Sequence, residues 1–283
     1  MKLLTLNTHS LQEADHEQKL EQFVEAVLRE KPDIIALQEV CQTADTELAE
    51  DALWAGQYLM PTRVPLREDN HGAQVAFRLR QAGIDCYWVW LPIKKGYGKY
   101  DEGVALLSLG RKITAARAFP ISKTNEYHNW RTRAALGVRV EGSEDWFYSI
   151  HMGWWEDTEE PFRQQWELLQ EDIRSQKENG TVWLMGDFNA PDSIPDQSYA
   201  RICNDGWLDT HLAAEQREGT YTVAGIIDGW QDKPPDRKDG GMRLDYIFCS
   251  RKKGIFSSRI LFDGEREPVV SDHFGVLIET KEE

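Results

Sequence analysis

The sequence predicts an α/β fold in which two mixed β-sheets pack face to face with helices on the outside. Strand-like apolar runs alternate with helical patterns in each half of the chain, and several neighbouring strands are separated only by short turns. The 283 residues are 41% hydrophobic, which is enough for a sizeable core. No stretch has the composition of a linker, so we expect a single domain over residues 1–283.

The N-terminal region has the strand–helix–strand order of a layered α/β protein. Lys2–Leu6 predicts a strand, and Asp15 begins a capping-box pattern. Apolar residues spaced at i, i+3, i+4, i+7 and i+8 from Leu20 predict an amphipathic helix, which Pro32 ends. Asp33–Leu37 then predicts the second strand.

The remaining elements follow from the same patterns. Helices are predicted at Thr43–Leu53 and Ala73–Gln81, and another one begins at Pro161. Further strands are predicted at Cys86–Leu91, Gly103–Leu109, Ala134–Val140, Trp146–Ile150, Thr181–Met185, Leu244–Cys249, Arg259–Phe262 and Phe274–Glu279. Two polar, glycine-containing loops are predicted at Lys94–Tyr100 and Asp228–Gly241, and long loops often carry function.

The composition limits the classes of function. The net charge of −15 argues against nucleic acid as the substrate and against anionic membranes as partners, although a local basic groove is compatible with it. No apolar run approaches the ~20 residues of a membrane span, and the N-terminus turns polar at Asn7, too early for a signal peptide. Cys41, Cys86, Cys203 and Cys249 are far apart, which is typical of reduced thiols. We expect a cytoplasmic protein with no obligate protein partner.

One stretch carries the clearest functional signal. Thr181–Met185 predicts a buried strand, Gly186 breaks the apolar pattern, and Asp187 and Asn189 follow at a spacing of two. In an extended chain that spacing places both polar side chains on the same side. Functional residues collect at strand ends in α/β proteins, although Gly-Asp-x-Asn also suits a simple turn.

Polar residues lie at or beside the ends of other predicted strands. Each alone has an ordinary explanation: Asn7 as a turn residue, His151 as a buried core histidine, and Ser271–His273 as a polar turn. Together they form a set that chance does not readily produce. Its members are Asn7, Glu39, Glu102, His151, Asp187, Asn189, Asp245, Asp272 and His273.

The motifs that contain these residues resemble those of the endonuclease/exonuclease/phosphatase superfamily, the DNase-like phosphoesterases. The matching stretches occur in the family's order and span nearly the whole chain: Leu6–Asn7, Leu37–Val40, Ser149–His151, Gly186–Asn189, Arg243–Ile247 and Ser271–His273. The resemblance implies a four-layer α/β/β/α sandwich of DNase-like type. It also implies hydrolysis of a phosphate ester with Mg²⁺ or Mn²⁺ as the cofactor.

The resemblance implies roles for individual residues, and the chemistry asks for the same residue types. Asn7, Glu39 and Asp272 offer the amide and carboxylate oxygens that a hard divalent cation prefers. Asp187 would orient the attacking water, as a carboxylate within hydrogen-bonding reach can do. Asn189 would hold the phosphate or the water.

Two histidines are expected to contact the phosphate. His273, paired with Asp245, would help to stabilise charge, because a carboxylate keeps a histidine in one tautomer and more readily protonated. His151 matches the family's phosphate-contacting position, and Glu102 would orient it.

The expected substrate is a small phosphorylated sugar. Three stretches are similar to bacterial maltose 6'-phosphate phosphatases, a branch of the same family: Leu4–Ser10, Lys99–Gly103 and His151–Trp155. Tryptophans in the loops could stack on a sugar ring, with Trp154 and Trp155 as the main candidates and Trp130 and Trp230 as further ones.

Basic side chains are expected to contact the phosphate group. Arg133 matches an arginine that precedes a strand in the family, with Arg131 as the alternative, and Lys99 or Lys95 could reach in from the glycine-rich loop. The competing enzymatic hypothesis is a nuclease or other phosphodiesterase that acts on DNA, RNA or a phospholipid head group. A binding module that has lost its site is the non-enzymatic alternative.

Overall fold

The computed structural model describes residues 1–194, 198–225 and 241–281. Within them the strands are β1 Lys2–Asn7, β2 Ile34–Thr43, β3 Cys86–Gly96, β4 Tyr100–Leu109, β5 Ile113–Pro120, β6 Ala134–Val140, β7 Trp146–His151, β8 Val182–Asp187, β9 Leu208–Asp209, β10 Gln216–Glu218, β11 Val223–Ala224, β12 Gly241–Met242, β13 Asp245–Cys249, β14 Ile255–Leu261 and β15 Gly275–Thr280. The α-helices of the same residues are α1 His16–Glu30, α2 Asp51–Trp54, α3 His71–Gln81, α4 Phe162–Asp172, α5 Arg174–Asn179, α6 Ser198–Asn204 and α7 Thr210–Ala213. Most of the loop expected at Asp228–Gly241, including Trp230, lies outside the described residues.

Two large mixed sheets form the body of the molecule. The first has the strand order β10–β14–β15–β1–β2–β4–β3, and the second has the order β5–β6–β7–β8–β13–β9. Most neighbours are antiparallel, whereas β1 pairs with β2 and β7 pairs with β8 in parallel. Each of these two pairs is connected through helices, as a crossover between parallel strands requires. The edge strand β10 also pairs in parallel with β14.

The apolar side chains divide into three layers that match the fold class expected from the sequence. The inner layer lies between the sheets and contains Leu3, Ile34, Trp183 and Met185. One outer layer packs α1 and α3 on the first sheet, and the other packs α4 on the second sheet. The protein is therefore a four-layer α/β/β/α sandwich, and the predicted fold class is confirmed.

Strand alternation brings two polar residues to one end of the inner layer. In β1, Leu3 belongs to the inner layer and Leu4 and Leu6 belong to an outer one, so Asn7 continues the inward row. In β8, Trp183 and Met185 belong to the inner layer, so Asp187 continues their row. The apolar inner core therefore ends in a polar cluster contributed by both sheets.

The second strand does not end where the sequence suggests. β2 continues from Leu37 to Thr43, and its pairing with β4 shifts register between Leu37 and Val40. This irregularity contains Glu39, whose backbone lies in the left-handed region at φ 52°. A β-bulge redirects a side chain without ending the strand. The polar residues of this bulge interrupt the apolar pattern, so the sequence suggests that the strand ends there.

The helix expected at Thr43–Leu53 is wrong, because this segment contains the end of β2, a turn and an irregular stretch. Ala49 N donates to Leu66 O and Glu68 N donates to Glu47 O, so the irregular stretch pairs with residues 66–68. Only Asp51–Trp54 is helical.

The expected loop at Lys94–Tyr100 is mostly a hairpin. β3 and β4 pair up to Gly96 opposite Tyr100, and the turn between them covers only residues 97–99. Two further expectations are also corrected. Asp15 precedes α1 but makes no side-chain cap hydrogen bond, and the alanine-rich strand β5, which lacks a clear alternation, is absent from the sequence prediction.

The structure also bears on the expectation about membranes. Among the described residues, no helix combines the length and the apolar character that crossing a bilayer requires.

A prediction concerns Gly186, which lies where β8 passes closest to β7. A Cβ atom at this position would lie 1.9 Å from Ile150 O, and φ is +149°. Replacing Gly186 with Ala should lower the free energy of unfolding by about 1–3 kcal/mol or more, because the clash is with backbone. Chemical denaturation of Gly186→Ala measures this. Gly254→Ala is the control, since its new Cβ meets only the flexible end of Lys281, and equal stability of the two variants would contradict the prediction.

Candidate active site

Asp187 lies at the centre of the polar cluster. Its Oδ1 accepts a hydrogen bond from Asn189 N at 2.8 Å. Its Oδ2 accepts from Asn7 Nδ2 at 3.1 Å and from Asn189 Nδ2 at 3.4 Å. The same oxygen lies 3.7 Å from His151 Nε2 and 3.8 Å from His273 Nε2. Two amide groups and two imidazole rings therefore surround one buried carboxylate.

Strand register explains why three of these groups are neighbours. β8 pairs with β7 so that His151 lies opposite Asp187, and with β13 so that Asp245 lies opposite Asp187. Asn189 follows in the left-handed region at φ 47°, and its Nδ2 also donates to Met152 O at 3.0 Å. A non-glycine residue in this conformation costs free energy, and such strain is typical of functional sites.

The two histidines have opposite electrostatic environments. His273 Nδ1 lies 2.9 Å from Asp245 Oδ2, which is the pairing expected from the sequence. Burial opposes protonation of His273, but the charges of Asp245 and Asp187 outweigh it and raise its pKa well above the usual value. Burial and the positive charges of Arg133 and Lys94 hold the pKa of His151 well below its usual value. These environments favour the protonated form of His273 and the neutral form of His151.

Burial raises the pKa of Asp187 to about 7, and the charge of Asp245 adds to the shift while that of His273 opposes it. A carboxyl group poised near neutral pH suits proton transfer at that pH.

Glu39 lies beside this group, on the side of the first sheet. Its Oε1 accepts from Asn7 Nδ2 at 2.9 Å and lies 3.9 Å from His151 Nε2. Burial and the negative charges of Glu102 and Asp272 raise the pKa of Glu39. Two of the three expected metal ligands, Asn7 and Glu39, are therefore in direct contact, and Asp272 is close enough to interact electrostatically.

Asp272 belongs to a second cluster that the sequence analysis misses. His9, Glu13 and Asp272 each offer a ligand atom within 4.8 Å of the others. His9 Nδ1 lies 2.7 Å from Glu13 Oε1 and 4.0 Å from Asp272 Oδ1. Only chain topology brings Glu13 beside residue 272, so no local sequence pattern reveals it.

Two buried cations form another wall of the site. Arg133 Nη1 donates to Trp130 O at 2.7 Å, and Lys94 Nζ donates to the same oxygen at 3.3 Å. The charges of Glu102, Glu39 and Asp187 all act on Arg133. Arg131 instead pairs with Asp157 and Glu159. Arg133 is therefore the arginine beside the site's carboxylates, and Arg131 is held in a separate ion pair.

The lysines of the glycine-rich hairpin differ in burial, and the phosphate contact expected of Lys99 or Lys95 stays a prediction. Lys99 is exposed, with its Nζ 4.5 Å from the centre of the Tyr100 ring, and Lys95 lies 3.7 Å from Asp101. Lys94 is the buried lysine of this hairpin, and its Nζ lies 3.0 Å from Glu102 Oε1. Glu102 thus holds Lys94, and the described residues show no hydrogen bond between Glu102 and His151.

The candidate sugar-binding tryptophans differ in exposure. Trp154 and Trp155 are half-buried and pack on the small apolar cluster of Val223, Met242 and Leu244. Trp130 is 54% exposed. The guanidinium carbon of Arg131 lies over this ring, 4.3 Å from the ring centre. The role of Trp154 and Trp155 in binding sugar stays a prediction, and Trp130 is an additional candidate.

The sequence matches a known family over nearly its whole length. Residues 4–273 match the Endonuclease/Exonuclease/phosphatase family. The chain belongs to this family. No curated protein matches the sequence.

Solved structures of this family have the same fold. An endonuclease/exonuclease/phosphatase family protein from Leptotrichia buccalis C-1013-b is 27% identical with a TM-score of 0.84. A mannosyl-6-phosphatase from Bacteroides thetaiotaomicron VPI-5482 is 16% identical with a TM-score of 0.66. A 3' phosphatase from Neisseria, bound to a product DNA hairpin, is 19% identical with a TM-score of 0.62. In all three comparisons both chains are covered completely.

The family is divalent-metal-dependent, and this donor set fits such a cation. Glu39, Asn7 and Asp272 are oxygen donors, which Mg²⁺ and Mn²⁺ prefer. Burial and the neighbouring negative charges of Glu102 and Asp272 raise the pKa of Glu39, and a bound cation would relieve that repulsion.

A prediction follows for Glu39. Glu39→Gln keeps the size but removes the charge, so it should weaken Mg²⁺ or Mn²⁺ binding, and high metal concentration should restore part of the lost rate. Calorimetric metal titration and metal-dependent activity measure both effects. Glu267→Gln is a matched control, because Glu267 is a buried carboxylate paired with Arg29. Unchanged metal binding and activity in Glu39→Gln would remove Glu39 from the site.

Proposed function

We propose that the protein is a metal-dependent phosphomonoesterase whose substrate is a small sugar phosphate, such as maltose 6'-phosphate. The observation that carries the proposal is the convergence on Asp187 of two amides and two histidines, with Lys94 and Arg133 beside them. This arrangement offers donors to several oxygens of one phosphate group. The net charge of −15 supports a small substrate over a polyanion, because the far field repels nucleic acid.

Each group has a defined task in this proposal. Asp187 orients the attacking water and takes its proton, and the amides of Asn7 and Asn189 keep that carboxylate in place. The His273 imidazolium, fixed by Asp245, and the cations at Lys94 and Arg133 neutralise the phosphoryl oxygens. When bound at Glu39, Asn7 and Asp272, the metal adds Lewis-acid stabilisation of phosphoryl charge.

The sugar would bind next to the phosphate-binding cations. Trp130 supports this, since its backbone carbonyl accepts from both Lys94 and Arg133 while its side chain is 54% exposed. Aromatic faces suit sugar rings. The mannosyl-6-phosphatase with the same fold supports the substrate class by analogy only.

The substrate class is tested with purified protein and Mg²⁺ or Mn²⁺. We expect hydrolysis of disaccharide and hexose phosphates, slower hydrolysis of bis-p-nitrophenyl phosphate, and no efficient cleavage of plasmid or oligonucleotide DNA. Trp130→Ala should raise KM for a disaccharide phosphate several-fold more than for acyclic glycerol phosphate, as a stacking contact is worth about 0.5–1.5 kcal/mol. Trp54→Ala, at another exposed tryptophan, is the control. Efficient nicking of plasmid with no hydrolysis of sugar phosphates would favour the nuclease alternative.

The role of Asp187 gives a separate prediction. Asp187→Asn should lower kcat on the order of 10²–10⁴-fold, because it removes the group that accepts the proton. The circular dichroism spectrum and metal affinity should change little, since the amide keeps the shape of the carboxylate. Activity within a few-fold of the unsubstituted protein would make residues 186–189 a structural turn.

A further inference from the structure

Lys94 owes its position to an irregularity in the hairpin. The pairing of β3 with β4 shifts register between Pro92 and Lys94, and Lys94 then lies opposite Glu102. Its side chain is 11% exposed, in contrast to that of Lys95 at 19% on the rim of the site. The fold thus buries a lysine, a residue that is rarely buried unless it is paired.

Arg133 is the second buried cation in this part of the site. Its Nε is buried and has no hydrogen-bond partner, and among the described residues no carboxylate lies within 4.0 Å of its guanidinium. Lys94 and Arg133 donate to one shared oxygen, Trp130 O, so the two positive charges are close neighbours. Within the part of the chain that the structure describes, the one carboxylate in direct contact with this pair is Glu102.

A buried cation without a counter-ion is costly. The nearby acids do not offer the missing pair, since Glu39 is in the expected metal site and Asp187 is surrounded by its own amides and histidines. The unsatisfied Arg133 Nε therefore indicates an anionic ligand, and the neighbouring Lys94 supplies a second positive charge for it.

We propose that Lys94 is the specificity-determining residue that, together with Arg133, selects the terminal phosphate of a monoester over an internal phosphodiester. The proposal rests on the proposed phosphoesterase function. A terminal phosphate carries about −1.5 to −2 charge at pH 7, whereas a diester carries a single negative charge. A monoester presents three unesterified oxygens to Lys94 and Arg133, whereas a diester presents two, so the two donors fit the monoester better.

The test compares Lys94→Met with Lys95→Met, which removes a charge from the adjacent residue. In Lys94→Met, KM for p-nitrophenyl phosphate and the inhibition constant of inorganic phosphate should rise about ten- to a hundredfold, as expected for a lost hydrogen bond to a charged group. The KM for bis-p-nitrophenyl phosphate should change much less. Lys94→Arg should recover most of the preference for the monoester, and Lys95→Met should affect both esters alike.

A second pair of variants distinguishes a phosphate-binding role of Lys94 from a purely structural one. It is needed because Lys94→Met leaves Glu102 without its partner. Lys94→Met/Glu102→Gln is compared with Glu102→Gln, and calorimetric titration of inorganic phosphate into both proteins gives a readout apart from activity. Weaker phosphate binding in the double variant supports the proposal. Equal binding shows that Lys94 only neutralises Glu102 and overturns it.

The two proposals can fail separately. If the unsubstituted protein binds phosphate through Lys94 but hydrolyses no monoester, the proposed function is wrong and the role of Lys94 in binding phosphate stands. If it hydrolyses monoesters and Lys94→Met behaves like Lys95→Met, the inference about Lys94 is wrong and the proposed function stands.

Discussion

The hydrogen bond from Asn7 Nδ2 to Asp187 Oδ2, 3.1 Å long, joins the ends of the two sheets, and the site depends on it. Both side chains lie at the end of an inward row of apolar residues, where each polar group needs a partner because it is buried. Gln38 reinforces the junction by donating to Ser149 Oγ at 2.9 Å across the same gap. The same hydrogen bonds therefore join the two sheets and fix the geometry of the site.

Negative and positive side chains lie on different sides of this junction. Glu39 and Asp272 lie towards the first sheet, where negative charges raise the pKa of Glu39. Lys94 and Arg133 lie on another side and, together with burial, lower the pKa of His151. Asp245 and Asp187 raise the pKa of His273 against the effect of burial. A phosphate ester placed between these groups would meet positive charge from the protein on one side and from a metal on the other. On the side of Lys94 and Arg133, the local charge thus differs in sign from the net charge of −15.

The parts of the fold that sequence predicts well are those set by strand alternation. Period-two patterning places Asp187 in the same row as Trp183 and Met185, and the structure has this arrangement. Strand alternation does not predict the position of Glu39, because a bulge directs its side chain. The polar residues of that bulge make the sequence look as if the strand ended there. The contact of Glu13 with Asp272 joins residues far apart in sequence, and no local pattern contains that information.

The position of Lys94 in the site depends on one local feature of backbone pairing. Three lysines occur within six residues of the hairpin, and composition does not distinguish them. A register shift of the β3–β4 pair at Pro92 places Lys94 opposite Glu102 and leaves Lys99 in the exposed turn. Because a shift of one residue in a strand exchanges its two faces, the position of one positive charge in the site depends on backbone pairing. The substrate preference proposed for this enzyme therefore originates in a bulge, as does the position of Glu39 on the neighbouring strand.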